Sequence, residues 1–244
     1  MSLGRTSRGT QSLAYASQTT ATLVSASFTP AAGALLVVLF DEITTDTTPS
    51  LTMSTSLTGQ GSWTLYQYAS TNDGSGNYYT SYIAVSVCGG SPGTGTVTCT
   101  RRAGNFSMAM FAEYIEVSGQ DATTPITQSH SALGATTSLA NNFTTAPVST
   151  SYVFASCING GGGAAIPTVP TGMTAIGSFA LVASNYTAGH AEKLGSAAQN
   201  NSWTGLIAFT NGAVAIEIAE AAGGSYRRRW TRIPFALGGA RSRW

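Results

Sequence analysis

The sequence predicts an all-β protein in which antiparallel strands form a two-sheet β-sandwich. Three observations lead to this prediction. No window of the 244 residues holds a sustained apolar period of 3.6, so helix content near zero is expected. Short runs of β-branched and aromatic residues alternate with clusters of Gly, Ser, Thr, Asn and Pro, which is the pattern of strands and turns. The apolar fraction of 43% can supply a core, so the chain does not belong to the disordered class.

Six strands are predicted in the first half of the chain. Residues 34–41 are a continuous apolar run, which predicts a central strand buried on both faces. Residues 62–69 alternate, with Trp63 and Leu65 on one face and Thr64 and Tyr66 on the other. The other four runs lie between Gly-, Pro- and Asn-rich turns, at residues 21–28, 78–88, 96–100 and 106–117.

Five further strands are predicted in the second half by the same signals. They lie at residues 138–144, 151–158, 174–182, 202–210 and 213–220. The glycine run 160–163 is expected to be a flexible loop. With eleven or twelve strands at spacings of 8–20 residues, one sandwich domain over residues 21–220 is expected.

The charges are distributed unevenly along the chain. Residues 21–220 hold all ten acidic side chains but only three basic ones, whereas the two ends carry eight arginines and no acid. This pattern predicts a three-part organisation: an N-terminal arm over residues 1–20, the sandwich, and a C-terminal arm over residues 221–244. Cationic arms on an acidic body are typical of proteins that dock on a negatively charged partner.

The C-terminal arm alternates cations with large apolar side chains, which is the composition of a segment that docks on a strand or in a groove. The expected partner is a neighbouring subunit, in a homo-oligomer or a larger assembly. Packaged nucleic acid is an alternative partner for the arm, because adjacent arginines also bind phosphates. The predicted docking residues are Arg227, Arg228, Arg229, Trp230, Arg232, Phe235, Arg241, Arg243 and Trp244, together with Arg5 and Arg8 of the N-terminal arm.

Three short motifs recur in the same order in the two halves. Ser27-Phe-Thr matches Asn142-Phe-Thr, and Ser62-Trp-Thr matches Ser202-Trp-Thr. The third pair is residues 113–117 and 215–219. One interpretation is an internal repeat whose halves form two lobes of one jelly roll; the other is chance recurrence in a biased composition.

The order of four segments resembles the jelly-roll proteins of tailed-bacteriophage virions and their concanavalin-like and LamG-like relatives. The segments are residues 28–40, 63–68, 106–119 and 123–126. The resemblance implies a jelly-roll fold and a non-enzymatic virion component, such as a capsid decoration, head-fibre or tail protein that contacts other capsid or tail subunits. The glycan-binding branches of that group usually add acidic calcium-site residues in loops, whereas Asp46, Asp73 and Asp121 are isolated here.

The start of the chain has no apolar segment of the kind found in a secretory signal, and its longest apolar run, residues 34–40, is too short to span a bilayer. We therefore expect no membrane contact, and assembly into a virion in the host cytoplasm. Cys88 and Cys99 flank a glycine-rich turn, so a disulfide between them is one alternative. Three buried thiols, with Cys157, are the other and the preferred one.

No catalytic residue, metal or cofactor is predicted. Residues 89–93 match G-x-S-x-G, but Pro92 follows the serine and has no N–H to stabilise an oxyanion, so we expect a hairpin turn. His130 and His190 are expected to be loop histidines rather than members of a Ser–His–acid triad. Two His and three scattered Cys lack zinc-ligand spacing. Asp41, Glu42 and Asp46 are expected to lie in a solvated loop, with weak calcium binding as the alternative.

An aromatic cluster suggests an alternative function, a carbohydrate-binding module of a tail or fibre that recognises a receptor. The tyrosines that flank the turn at residues 72–77 could stack on sugars, although core packing uses the same residue types. The candidate glycan-stacking residues are Tyr66, Tyr68, Tyr78, Tyr79 and Trp203.

Overall fold

The computed structural model describes residues 2–67, 72–161, 163, 165–181, 186–195 and 200–221. These residues contain no α-helix, and hence no helix long and apolar enough to cross a membrane. Their strands are β1 (Gly4–Gln18), β2 (Thr22–Val24), β3 (Leu35–Thr44), β4 (Leu51–Thr55), β5 (Thr64–Gln67), β6 (Tyr78–Val87), β7 (Val97–Arg101), β8 (Phe106–Ser118), β9 (Ile126–Gly134), β10 (Ser138–Asn142), β11 (Tyr152–Gly160), β12 (Thr174–Leu181), β13 (Tyr186–Leu194), β14 (Asn200–Thr204) and β15 (Asn211–Ile218).

The strands form two large and two small antiparallel sheets. The first large sheet has the order β1-β8-β3-β6-β5, and the second has the order β12-β13-β11-β15-β9. The small sheets are β2-β7-β4 and β10-β14. The predicted all-β sandwich is therefore confirmed.

The two large sheets pack face to face. Val37 and Leu39 of β3 meet Phe154 of β11 and Ile216 of β15 in one buried cluster. Each small sheet covers the outer face of one large sheet, burying Cys99 of β7 on one side and Trp203 of β14 on the other. Because β3 lies between two cores, its residues are buried along the whole strand, which explains its continuous apolar sequence.

Most predicted strands are present, with shifted ends. The run 21–28 shrinks to β2, and the run 202–210 ends at Thr204. Four strands were not predicted: β1, β4, β9 and β13. The segment expected to be an N-terminal arm forms β1, which pairs with β8 from Gly4 to Gln18. β1 and β9 are rich in Ser, Thr and Gly, so they lack the apolar alternation from which strands are predicted, whereas β4 alternates over only five residues.

The three cysteines are free thiols and are buried. Burial raises the pKa of Cys88 to about 11 and that of Cys99 to about 12. The preferred alternative, buried thiols acting as small apolar side chains, is confirmed.

The two halves of the chain repeat one strand order. The strand orders of the two large sheets correspond one to one. The first sheet is β1-β8-β3-β6-β5, and the second, read from its other edge, is β9-β15-β11-β13-β12. A shared contact supports this match. Glu116 of β8 accepts a hydrogen bond from the Ala31 N–H at 2.9 Å, and Glu217 of β15 accepts one from the Val148 N–H at 2.9 Å.

The internal repeat predicted from the sequence is therefore present, but each half has its own large and small sheet. Phe28 and Phe143 lie in the corresponding outer-face clusters of the two halves, as their motif match predicts. The third motif pair is displaced by one position, because the strand pairings align Glu116 with Glu217. The Ser-Trp-Thr match is wrong, because Trp63 directly precedes β5 whereas Trp203 lies in β14, the counterpart of β7. The packed sheets place β1 against β12 and β5 near β9, so the repeats are related by an approximate two-fold axis.

The face-to-face packing predicts a large effect of the Phe154→Ala substitution. Phe154 is fully buried between the large sheets and stacks on Tyr152, with ring centroids 4.8 Å apart. We expect a loss of about 3–5 kcal/mol in the free energy of unfolding, measured by chemical denaturation. Val148→Ala is the control; since Val148 is 59% exposed, a change within about 0.5 kcal/mol is expected. A loss below about 1 kcal/mol for Phe154→Ala would contradict the packing.

Candidate functional site: a groove at one edge of the sandwich

A groove lies where the edges of the two large sheets diverge. Strand β5 forms the edge of the first sheet and β9 forms the edge of the second. Two cavities of about 310 Å³ and about 270 Å³ lie there, and Tyr66 of β5 lines both. Tyr66 is half-buried, and this burial raises its pKa. The larger cavity lies at the lower end of the usual size range of ligand pockets.

The groove has an aliphatic floor and a hydroxyl-rich rim. No Asp, Glu, Lys or Arg lines either cavity in the part of the chain that the structure describes. The hydroxyls of Ser62, Thr64, Ser129 and Ser131 have no hydrogen-bond partner among the described residues. The floor residues are Leu35, Val85, Val87, Ile126 and Val214, and the other polar rim residues are Ser86, Thr123, Thr124 and His130.

The two-fold counterpart of this groove, at the β1/β12 edge, is closed by ion pairs. Arg5 of β1 lies 3.2 Å from a carboxylate oxygen of Glu113 and 2.9 Å from one of Glu192. Burial raises the pKa of both carboxyls, and the Arg5 guanidinium opposes this effect. Gly177 of β12 has no side chain here, and an added Cβ would collide with the Glu113 carboxylate.

The strand pairings show what replaces these ions in the open groove. We aligned β3 with β11 and followed the strand pairings outward to the edges. Each charged residue of the closed edge then corresponds to an aliphatic residue of the groove. It also places Tyr66 at the position of Gly177. The two edges therefore differ in chemistry. The counterparts of Arg5, Glu113 and Glu192 are Ile126, Val214 and Val85.

A polar network crosses the centre of the sheet–sheet interface. Asp41 of β3 lies 2.7 Å from Nε2 of His190 in β13, and its carboxylate accepts hydrogen bonds from the hydroxyls of Ser156 and Ser81. Asp41 and His190 are fully buried. The expectations of a solvated loop for Asp41 and of a loop position for His190 are therefore wrong.

This network is not a catalytic triad. In a triad the histidine stands between the acid and the nucleophilic hydroxyl, whereas here both serines donate to the acid. All four side chains are also fully buried, so no substrate reaches them. The network joins the repeats, because Asp41 and Ser81 belong to the first repeat and Ser156 and His190 to the second.

A second buried network holds the other two acids that were expected in a solvated loop. Arg101 lies 2.5 Å from Glu42 and 2.9 Å from Asp46, and all three side chains are fully buried. Arg102 also pairs with Asp46. Asp46 therefore acts as a structural counterion, and Glu42 is a buried partner of Arg101. Within the described residues no group of three or more His, Cys, Asp or Glu is placed to hold a metal ion.

The predicted aromatic cluster is not assembled on one surface. Tyr79 is buried between the large sheets. Trp203, in β14 of the second small sheet, is buried against the outer face of the second large sheet. Neither ring face is open to a sugar. Tyr78 is half-buried, and Tyr68 lies outside the described residues. Of the five candidates, Tyr66 alone is described as lining the groove.

The N-terminal docking residues are engaged within the chain. Arg5 bridges Glu113 and Glu192, and Arg8 binds Glu116 at 2.5 Å. All the predicted docking residues from Arg227 to Trp244 lie outside the described residues. His130 was expected in a loop but lies in β9, where its Nδ1 accepts a hydrogen bond from the Asn142 N–H at 3.3 Å.

Sequence analysis did not find the groove, because its lining comes from residues 35 to 214 and no local motif marks it. No family model matches the chain, and neither a curated protein nor a solved structure matches it. Functional proposals therefore depend on the geometry and charges of this chain.

The interface network predicts that Asp41→Ala strongly destabilises the fold. The substitution leaves His190 and two serine hydroxyls buried without their partner, which costs about 3–5 kcal/mol of unfolding free energy. Chemical denaturation measures this loss. Asp121→Ala is the control, since Asp121 accepts hydrogen bonds only within its own turn and a much smaller effect is expected. Equal effects of the two substitutions would contradict the structural role of the network.

The buried carboxyl of Glu42 is expected to make the stability of the fold depend on pH. Burial raises the pKa of Glu42 from 4.5 to about 7, although Arg101 opposes the shift. The stability from protonated Glu42 is therefore complete below about pH 4.5 and is lost as the pH rises through about 7. Relative to Glu42→Gln, the wild type should lose about 1–3 kcal/mol of unfolding free energy between pH 4.5 and pH 8. Parallel stability curves for the two proteins would show that Glu42 does not titrate in this way.

Proposed function

We propose that this chain is a non-enzymatic structural component of a bacteriophage particle, a capsid decoration or stabilising protein. In this proposal it docks on neighbouring capsid or tail subunits, or on copies of itself, through the arm at residues 221–244. The resemblance of its sequence to jelly-roll virion proteins supports the assignment. The repeated order of a large and a small sheet in each half supports the jelly-roll part of it.

The observation that carries the proposal is that most acids of the body already have partners within the body. Five of the ten acids make ion pairs with arginine inside the body, and a sixth, Asp41, contacts His190. Of the other four, three already accept hydrogen bonds from nearby groups. These four acids are Asp73, Asp121, Glu217 and Glu220.

The C-terminal arm carries six arginines, so they outnumber the acids that are not already ion-paired in the body. Guanidinium groups form stable interfaces by bidentate contacts with carboxylate or phosphate. The arm therefore has the chemistry to bind an acidic surface outside its own sandwich. A neighbouring protein subunit accounts for its aromatic residues, which serve as apolar anchors at protein interfaces.

The position of the buried Asp41 network also favours a structural function. Its Ser81, Ser156 and His190 are fully buried in the sheet–sheet interface. Ser91 lies in the connection between β6 and β7 and is followed by Pro92, so no backbone N–H adjoins it there. Among the described residues, the polar chemistry of the body joins strands and repeats.

Deletion of residues 225–244 tests this proposal. We expect the truncated chain to keep its β-sheet circular dichroism but to be lost from particles, because its anchors and cations are missing. The measurement is mass spectrometry of purified particles produced with the wild-type or truncated chain. Replacing the six arginines of the arm by lysine is a matched control, because lysine keeps the charge but cannot make bidentate contacts. If charge alone holds the arm, incorporation stays unchanged; if bidentate contacts hold it, incorporation falls. Full incorporation of the truncated chain would refute the proposal.

A further inference from the structure

We propose that the groove between β5 and β9 is a binding site for an uncharged saccharide. This inference is independent of docking by the C-terminal arm, and it assigns a second function to the same chain. It takes up the carbohydrate-recognition alternative at a different place from the aromatic cluster that the sequence suggested.

The broken two-fold symmetry identifies the groove as a distinct site. At the counterpart edge, Arg5, Glu113 and Glu192 fill the space between the sheets. In the groove the equivalent positions are aliphatic, and the space stays open in two adjoining cavities of about 310 Å³ and about 270 Å³. The opening between the two edge strands leaves Ile126 partly exposed to solvent, which is unfavourable unless a ligand covers it.

The lining chemistry selects the class of ligand. A sugar ring has an apolar face of C–H groups and hydroxyls around its edge. In the groove, Tyr66 offers a half-buried ring and Val85 and Val214 offer apolar contacts for such a face. Ser129 and Ser131 offer hydroxyls that have no partner among the described residues, and these can donate to or accept from sugar hydroxyls.

The same lining disfavours charged ligands. A phosphate, a carboxylate or a cationic peptide would enter a groove with no described Asp, Glu, Lys or Arg to pair with it. Burying such a charge without a partner is costly. His130 also lines the groove; its Nδ1 accepts a hydrogen bond from the Asn142 N–H, which leaves Nε2 as the ring nitrogen available to a ligand.

The test is an array of neutral oligosaccharides probed with the full chain, followed by titration calorimetry on each hit. We expect at least one neutral oligosaccharide to bind the wild type. Ser131→Trp, which fills the groove from an exposed position, should weaken that binding at least tenfold. Thr10→Trp is the matched control, because Thr10 is the exposed two-fold counterpart of Ser131 at the closed edge, and it should leave binding unchanged.

Three results would overturn the inference: no neutral oligosaccharide binds, the hits are indifferent to Ser131→Trp, or only charged saccharides or peptides bind in the groove. Tyr66→Ala gives a second readout, since loss of the ring should weaken binding without unfolding the chain. Incorporation of Ser131→Trp into particles should equal that of the wild type. A failure of the groove is thereby separated from a failure of the arm.

Discussion

The structure depends on the burial of one large sheet against the other. The strands that carry this interface, β3 and β11, lie at the centre of their sheets, and each is covered on its outer face by a small sheet. Hydrophobic contacts supply the main driving force. The Asp41–His190 contact adds specificity to this packing. The buried Asp41 carboxylate has all its partners, His190, Ser81 and Ser156, only when the two repeats pack in one register.

The repeat accounts for both the regularity and the exceptions of the fold. Equivalent strands use equivalent contacts, as Glu116 and Glu217 show with the backbone N–H groups of Ala31 and Val148. The two edges then diverge, one closed by Arg5 and its two carboxylates, the other open beside Tyr66. The saccharide proposal for the groove rests on this difference between the two edges.

Sequence patterns predicted the fold class and most strands because buried strands must be apolar. The central strand β3 was predicted for this reason. Edge strands such as β1 and β9 carry Ser, Thr and Gly, so their pairing depends on neighbours that the sequence does not reveal. Asp41 and His190 were misplaced for a related reason. A charged residue normally indicates solvent, and its partner here is 149 positions away.

The groove could not be predicted, since its residues converge only through the pairing of β5 with β6 and of β9 with β15. Tyr66 was a candidate on composition alone, and so were Tyr79 and Trp203, which the fold buries. The charge of the two predicted arms, by contrast, is evident in the sequence. The role of Arg5 and Arg8 as internal counterions follows only from the pairing of β1 with β8.

The central claim is that the acids of the β body are mostly held by partners within the body, which leaves the C-terminal arginines to bind another molecule. A cryo-electron microscopy map of the particle that contains this chain tests the claim most directly. The account predicts density for residues 225–244 in contact with an acidic surface of a neighbouring polypeptide. A map in which that segment packs on its own sandwich, or extends into solvent without touching another molecule, would contradict it.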